Sequence, residues 1–248
     1  MKKTLLPVFF VLLLFACKEE KAPELNYTLR SISSNDFSEC KAQACPGIQI
    51  DYLEFGDKGI SRKIGQIMEN RRARIFMDTE EDLPKTSLKE ALRAFIAEFH
   101  DFQNNFPDFD ADYEVRIKEE IVNRTDEILV IETKHYLYKG GAHGYGAVNL
   151  ANFSLETGEL LTAEDLFTNL DEFKAYAEKK FREKYGISEG ENINSTGFFF
   201  ENDVFALPQN IGILEDEVVL IYNAYEVAAY AHGEILMKFP KNEIPVKF

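Results

Sequence analysis

Apolar residues along the chain change period several times, and each change marks an element. Leu25, Tyr27 and Leu29 alternate with polar neighbours over residues 24–33. Ile48, Ile50 and Tyr52 alternate with Gln49 and Asp51 over residues 47–55. A period of two predicts a half-buried strand in each place. From Asp57 the period becomes helical. Ile60, Ile64, Ile67 and Met68 share one face, and the basic run Arg71-Arg72-Ala73-Arg74 lies near that helix's end, where it reads as a solvated terminus complementing the dipole rather than as an anion site. Ser87 with Glu90 forms a capping-box pattern, and behind it Leu88, Leu92, Phe95, Phe99, Phe102 and Phe106 recur at three and four residues. This predicts a strongly amphipathic helix, stopped by Pro107, with His100 off the stripe and exposed.

Beyond the proline, Tyr113, Val115, Ile117, Glu119 and Ile121 alternate with Glu114, Arg116, Lys118 and Glu120. This is one arm of a hairpin that turns at residues 123–126 and returns over 128–138. A third strand over 147–155 leads through a turn at Gly158 to a short helix capped by Thr162. A longer helix from Leu170 to Tyr185 carries Phe173, Tyr176, Ala177 and Phe181 on one face. A polar loop spans 186–197, Phe198-Phe199-Phe200 predicts the start of a strand, 218–222 a buried strand, 224–231 one or two helical turns, and 234–239 a last strand. Strands and helices are grouped rather than alternating, which predicts an α+β class. The expected organisation is a signal peptide over 1–16, a tether over 17–23, an N-terminal strand–helix–helix domain over 24–108 and, packed against it, a C-terminal domain over 109–248 built of an antiparallel sheet with helices.

Composition narrows the partners and the compartment. The chain has 248 residues, 45% hydrophobic and 29% charged, an ordinary globular balance. Lys and Arg number 28 against 43 Asp and Glu, a formal charge of -15, so nucleic acid is not an expected partner. Three Cys and four His are too few for a multi-cysteine zinc or iron–sulfur site. Lys2 and Lys3 precede an apolar run from Leu5 to Phe15, too short to span a bilayer and typical of a signal-peptide core. The run ends Leu14-Phe15-Ala16-Cys17, which resembles the bacterial lipobox. Acylation of Cys17 is therefore expected, with membrane attachment through lipid and a place in the cell envelope, as an outer-membrane lipoprotein facing the periplasm or the cell surface. Cleavage before Cys17 would remove Lys2 and Lys3 and deepen the formal charge from -15 to -17. Export makes a disulfide between Cys40 and Cys45 the expected state of those thiols.

The densest chemical motif is Lys139-Gly140-Gly141-Ala142-His143-Gly144-Tyr145-Gly146. A phosphate loop would require a helix to follow; here a strand pattern follows, so phosphate binding is not expected. His143 and His232 are the two histidines set beside glycines. With Glu226 or Glu234 they offer a general base or metal ligands in principle, but the spacing matches no zinc motif, and two turn histidines bonded to backbone is the plainer reading. There is no Gly-X-Ser-X-Gly. Asn-X-Ser/Thr matches at Asn26, Asn123, Asn152 and Asn194 carry little meaning behind a bacterial leader.

Two stretches carry a resemblance. One runs from Tyr138-Lys-Gly-Gly-Ala-His-Gly144 through Phe153-Ser-Leu-Glu-Thr-Gly158 to Leu161-Thr-Ala-Glu-Asp-Leu-Phe167. The other is Asn223-Ala-Tyr-Glu-Val-Ala-Ala-Tyr-Ala-His-Gly233 with the strand up to Pro240. These are similar to the C-terminal domain of the PdaC/RsiV-like extracellular family, and residues 48–75 resemble its N-terminal domain. The resemblance implies an α+β fold outside the cytoplasmic membrane. The metal motif of the family's deacetylases and the membrane helix of its anti-sigma factors have no counterpart in these motifs, so neither activity is expected here. What remains is a non-enzymatic binding module for a wall component such as peptidoglycan, or for a cationic protein such as lysozyme. The alternatives are a hydrolase-type enzyme using His143 and His232, and an accessory structural lipoprotein. No cofactor and no metal are expected. The ligand-binding candidates are Gly140, Gly141, His143, Tyr145, Asn223, Tyr225, Tyr230 and His232, exposed aromatics and turn residues suited to a sugar or peptide; packing of the same tyrosines as plugs at the sheet ends is the plainer reading.

Overall fold

The computed structural model describes residues 24–41, 43–77, 86–108 and 112–248; Cys17 and the expected signal peptide and tether lie outside them. Five strands form the larger sheet: β1 (Tyr27–Ser33), β2 (Gly47–Phe55), β3 (Tyr113–Arg124), β4 (Ile128–Lys139) and β5 (Tyr145–Ser154), side by side in that order. Between β2 and β3 the chain forms α1 (Gly59–Arg74) and α2 (Leu88–Asn105). This excursion makes β2 and β3 parallel, while every other pairing in the sheet is antiparallel. The expected sheet was antiparallel and confined to residues beyond 108. Instead β1 and β2 are members of it, and the sheet runs across the expected division at 108/109.

Local chemistry accounts for the helices. Ser87 and Glu90 cap α2 reciprocally: the Glu90 amide donates to Ser87 Oγ at 3.2 Å, and the Ser87 amide donates to Glu90 Oε2 at 2.8 Å. Leu88, Leu92, Phe95, Ile96 and Phe99 of α2 pack on Ile48, Ile50, Val115 and Ile117. Ile64 and Met68 of α1 pack on Leu129, Ile131, Ala151 and Phe153. The pairings Ile121–Ile131 and Ile131–Ala151 carry that same face across the sheet, so both helices cover one side. Cys40 and Cys45 are disulfide-bonded with Cα atoms 5.2 Å apart, and His100, expected to be exposed, is half-buried with Nε2 2.8 Å from the Ala44 carbonyl inside that loop.

The other side, lined by Ile128, Val130 and Leu150, packs on the second half of the chain. That half contains α3 (Ala163–Leu166), α4 (Leu170–Tyr185) and the antiparallel sheet β6 (Asn210–Ile213), β7 (Glu217–Tyr222) and β8 (Ile235–Pro240). Phe198-Phe199-Phe200 does not begin a strand. The segment is irregular, and Phe198 and Phe200 turn their rings onto Phe181 of α4 at 4.8 and 5.2 Å. Burial of the rings outweighs strand propensity here.

Asparagine amides join the two sheets. Asn223 Oδ1 accepts from the Val148 amide at 2.9 Å and its Nδ2 donates to the Val148 carbonyl at 3.0 Å. Asn152 does the same for β6, donating to the Ile211 carbonyl at 2.6 Å and accepting from the Ile213 amide at 3.1 Å. Asn123 Nδ2 donates to the Ile213 carbonyl, and Asn210 Oδ1 accepts from the Leu150 amide. A side-chain amide has the same donor and acceptor as a peptide group, so these residues satisfy backbone groups at the seam that a further strand would otherwise pair.

Candidate functional site

The β4–β5 turn is shaped by its glycines. Gly140 and Gly141 sit at φ of 81° and 90°, a region that side chains with a Cβ avoid, and a Cβ on Gly144 would collide with the Tyr136 ring. Tyr138 Oη donates to the Gly141 carbonyl at 2.9 Å and fixes the bend. His143 is thereby held on the surface with Nδ1 3.1 Å from the Gly144 carbonyl.

Against this turn the 223–233 segment lays its aromatic rings. The Asn223 amide clip fixes one end, and its turn is closed by the Asn223 amide donating to Glu226 Oε2 at 2.9 Å. Tyr225 adopts φ of 71°, a conformation rare for a bulky side chain and of the kind that concentrates at functional sites. Its ring lies 5.3 Å from Tyr230, and Tyr230 stacks on His143 at 4.4 Å with planes 18° apart. Tyr230 Oη donates to the Gly144 carbonyl at 3.3 Å. Tyr225 and Tyr230 remain 53% and 38% exposed, so the three rings form an open platform rather than a plug in the core. The helical turns expected over 224–231 reduce to one 3-10 turn at Tyr230–His232.

Gly140, Gly141, His143, Asn223, Tyr225 and Tyr230 are thus brought together. His232 is not part of the group: its ring faces Phe198 at 5.9 Å, and among the described residues no hydrogen bond joins it to His143. Tyr145 sits one step along β5 beside His135, rings 6.2 Å apart. Among the described residues no three His, Cys, Asp or Glu are grouped to hold a metal ion.

Beside the platform a cleft of about 1170 Å³ opens along β5. Tyr145 and Asn149 of β5, Asn223, Tyr225 and Glu226 of the turn, and Arg71 from the last turn of α1 all line it. Burial raises the Glu226 carboxyl, and amide hydrogen bonds from Asn223 and Gln209 pull it partly back. Burial also raises the Tyr145 phenol, with the Glu226 charge adding to the shift. His135, whose Nδ1 is 3.3 Å from the Asn149 amide, is held neutral by burial, its pKa pushed down to about 4.

Arg71 and His135 were not among the sequence candidates. The basic run was expected to be a solvated helix terminus, and that expectation fails for two of its three arginines. Arg72 is 3% exposed and fully bonded inside the protein, Arg71 is half-buried along the cleft, and Arg74 alone stays in solvent. A signal for His135 was present: the alternation Ile131, Thr133, His135, Leu137 puts it on the inward face of β4.

Comparison with known families now places these parts. Residues 39–145 match the family described as Deacetylase PdaC, and residues 161–242 match DUF3298, a family of unknown function. The chain thus has a stretch similar to PdaC followed by a stretch similar to DUF3298. No curated protein matches the sequence. A DUF3298-family structure from Bacteroides fragilis superimposes with a TM-score of 0.64 at 17% identity, covering 92% of this chain and 96% of that one. A DUF3298-family structure from Pseudomonas aeruginosa gives a TM-score of 0.55 at 20% identity, with the same coverages of 92% and 96%. Both likenesses concern the fold. In these terms the platform is shared: the stretch similar to PdaC contributes His143 and the glycine turn, and the stretch similar to DUF3298 contributes Asn223, Tyr225 and Tyr230. The cleft likewise has Arg71 from the first region and Glu226 from the second.

Proposed function

We propose that this PdaC–DUF3298 chain is a non-enzymatic binding module of the cell envelope, lipid-anchored through Cys17, whose ligand is a wall glycan. The observation that carries this reading is the exposed Tyr225–Tyr230–His143 platform at the side of a polar cleft. Aromatic rings with polar tips present a flat apolar face and a hydrogen-bonding rim, which suits the alternating faces and hydroxyls of a sugar. The backbone strain at Tyr225 is maintained by a turn closed on both sides, a cost that makes sense where the ring must stand out from the surface. His143 is engaged in the stack, which favours a platform over a proton-transfer pair with His232.

The test is calorimetric titration with chitotriose and with soluble peptidoglycan fragments. Wild-type protein binds, and Tyr225→Ala and Tyr230→Ala each weaken binding severalfold while leaving the far-ultraviolet circular dichroism unchanged. Absence of binding to every fragment would overturn the glycan reading. A second reading, capture of a cationic protein such as lysozyme, is favoured by the excess of 43 acids over 28 bases. That reading requires binding to lysozyme at low salt that fades as ionic strength rises, and it fails if no complex forms at low salt.

A further inference from the structure

We infer that the cleft along β5 is a carboxylate-binding subsite with Arg71 as its receptor. The inference deepens the glycan reading, on which it rests for the rest of the ligand: the wall fragment would carry a carboxylate on its stem peptide. Three arginines occupy the last turn of α1, and their fates differ. Arg74 is in solvent, and Arg72 has every nitrogen of its guanidinium bonded inside the protein. Arg71 lines the cleft and, among the described residues, makes no hydrogen bond, ion pair or ring contact. Glu119 is the carboxylate that acts on it electrostatically, and both oxygens of that carboxylate are already taken by Arg72.

Burial and the neighbouring Arg74 charge both lower the Arg71 pKa, so the folded protein holds this cation at a cost. A half-buried charge that has no bonded partner and lines a cleft marks a place where a ligand can supply one. The other charges of the lining agree. Glu226 accepts the Asn223 amide at 2.9 Å, and Asp171 lies in the first turn of α4, where the helix dipole favours an anion. Lys174 in the same lining has no partner among the described residues. The acids of the cleft are accounted for and its cations are not. The planar fork of Arg71, with Asn149 in the same lining, matches the two oxygens of a carboxylate, whereas a phosphate dianion would call for cations clustered around it.

The experiment compares three probes by calorimetry: N-acetylmuramyl-alanyl-isoglutamine with its free carboxylate, the same molecule with that carboxylate amidated, and neutral chitotriose. Wild-type protein should bind the acid about tenfold or more tighter than the amide, the size of a charge-assisted hydrogen-bonded pair. Arg71→Met should erase that preference, lowering affinity for the acid about tenfold or more beyond any change for the amide or for chitotriose. Arg71→Lys, which keeps the charge but not the fork, should restore part of it. Equal binding of acid and amide by the wild type, or a preference that survives in Arg71→Met, would overturn the subsite while Tyr225-dependent chitotriose binding kept the glycan reading alive. If no sugar probe binds, the glycan reading fails, and glutarate titration reads the subsite by itself. Glutarate binding lost in Arg71→Met supports the subsite, and no glutarate binding, or tighter Arg71-dependent binding of inorganic phosphate, overturns the carboxylate assignment.

Discussion

Arg71 and Arg72 are neighbours on one helix turn, about 100° apart around its axis, and they live in opposite circumstances. Arg72 faces the sheet. Its Nε donates to Glu119 Oε1 at 2.8 Å, Nη2 to Glu119 Oε2 at 3.0 Å and to the Leu53 carbonyl at 2.8 Å, and Nη1 to Glu69 Oε2 at 3.0 Å. The Leu53 amide completes Glu119, the Leu88 amide completes Glu69, and the Tyr52 ring lies 4.8 Å from the guanidinium carbon. One cation thereby ties β2, β3, α1 and the start of α2 together. Arg71 faces the β5 side with none of this. The difference teaches that a charge the fold takes partly or wholly from solvent reads as architecture when its partners are complete and as a binding group when they are missing.

The comparison breaks most visibly at Arg72. Arg72→Met leaves Glu119, 2% exposed, as an uncompensated buried carboxylate. Removing one partner of such a pair costs about 3–5 kcal/mol, a large part of a typical domain's stability. Urea denaturation should show that loss, and Arg72→Met with Glu119→Leu should recover most of it, because the stranded charge is gone. A loss below about 1 kcal/mol in the single variant would mean that the network is incidental.

A neutral counterpart sharpens the point. Asn152 is 4% exposed and serves both a carbonyl and an amide of β6. Asn152→Leu keeps the volume and leaves both groups unpaired, which should cost about 2–3 kcal/mol by the same denaturation measurement. If the loss were negligible, complete pairing could not be the property that separates Arg72 from Arg71.

His135 tests the cleft side through pH. Its folded pKa of about 4 lies below the ordinary 6.5, so the unfolded chain binds the extra proton between those values. The stabilisation from burying the neutral ring is therefore complete above pH 6.5 and is lost as pH falls toward 4, by about 1–3 kcal/mol. Carboxylates elsewhere contribute to the acid limb as well. The measurement is thus the difference between wild type and His135→Gln, whose stability should converge with or overtake the wild type's toward pH 4.

Much of this arrangement was legible from local patterns. The Ser87–Glu90 cap, the phenylalanine stripe of α2 and the inward register of Glu119 on β3 are encoded within a few residues of where they act. The platform residues could be read because unusual backbone demands left glycines and tyrosines in compact motifs. What could not be read depends on contacts distant in sequence. Nothing near Arg72 announces Glu119, 47 residues away. The parallel register of β2 on β3 follows from a two-helix excursion whose direction no strand pattern records. Strand β6 has four residues, including Asn210 and Gly212, too few and too atypical to show a period, and the Asn152 amide supplies what its length does not.

The smallest expected effect is the most discriminating. If Arg71 were a structural residue like its neighbour, Arg71→Met would destabilise the protein. Its geometry predicts the reverse sign or nothing: no hydrogen bond is broken, no carboxylate is stranded because Glu119 keeps both contacts to Arg72, and a desolvated charge is replaced by an apolar chain of similar reach. The expected change is between zero and a gain of about 1 kcal/mol without ligand. Raising salt should narrow any gain, since part of the relieved cost is repulsion from Arg74. A ligand of the cleft should invert the order, stabilising wild-type protein by mass action more than the variant, so that thermal shift with and without the carboxylate probe reads architecture and binding in one pair of curves.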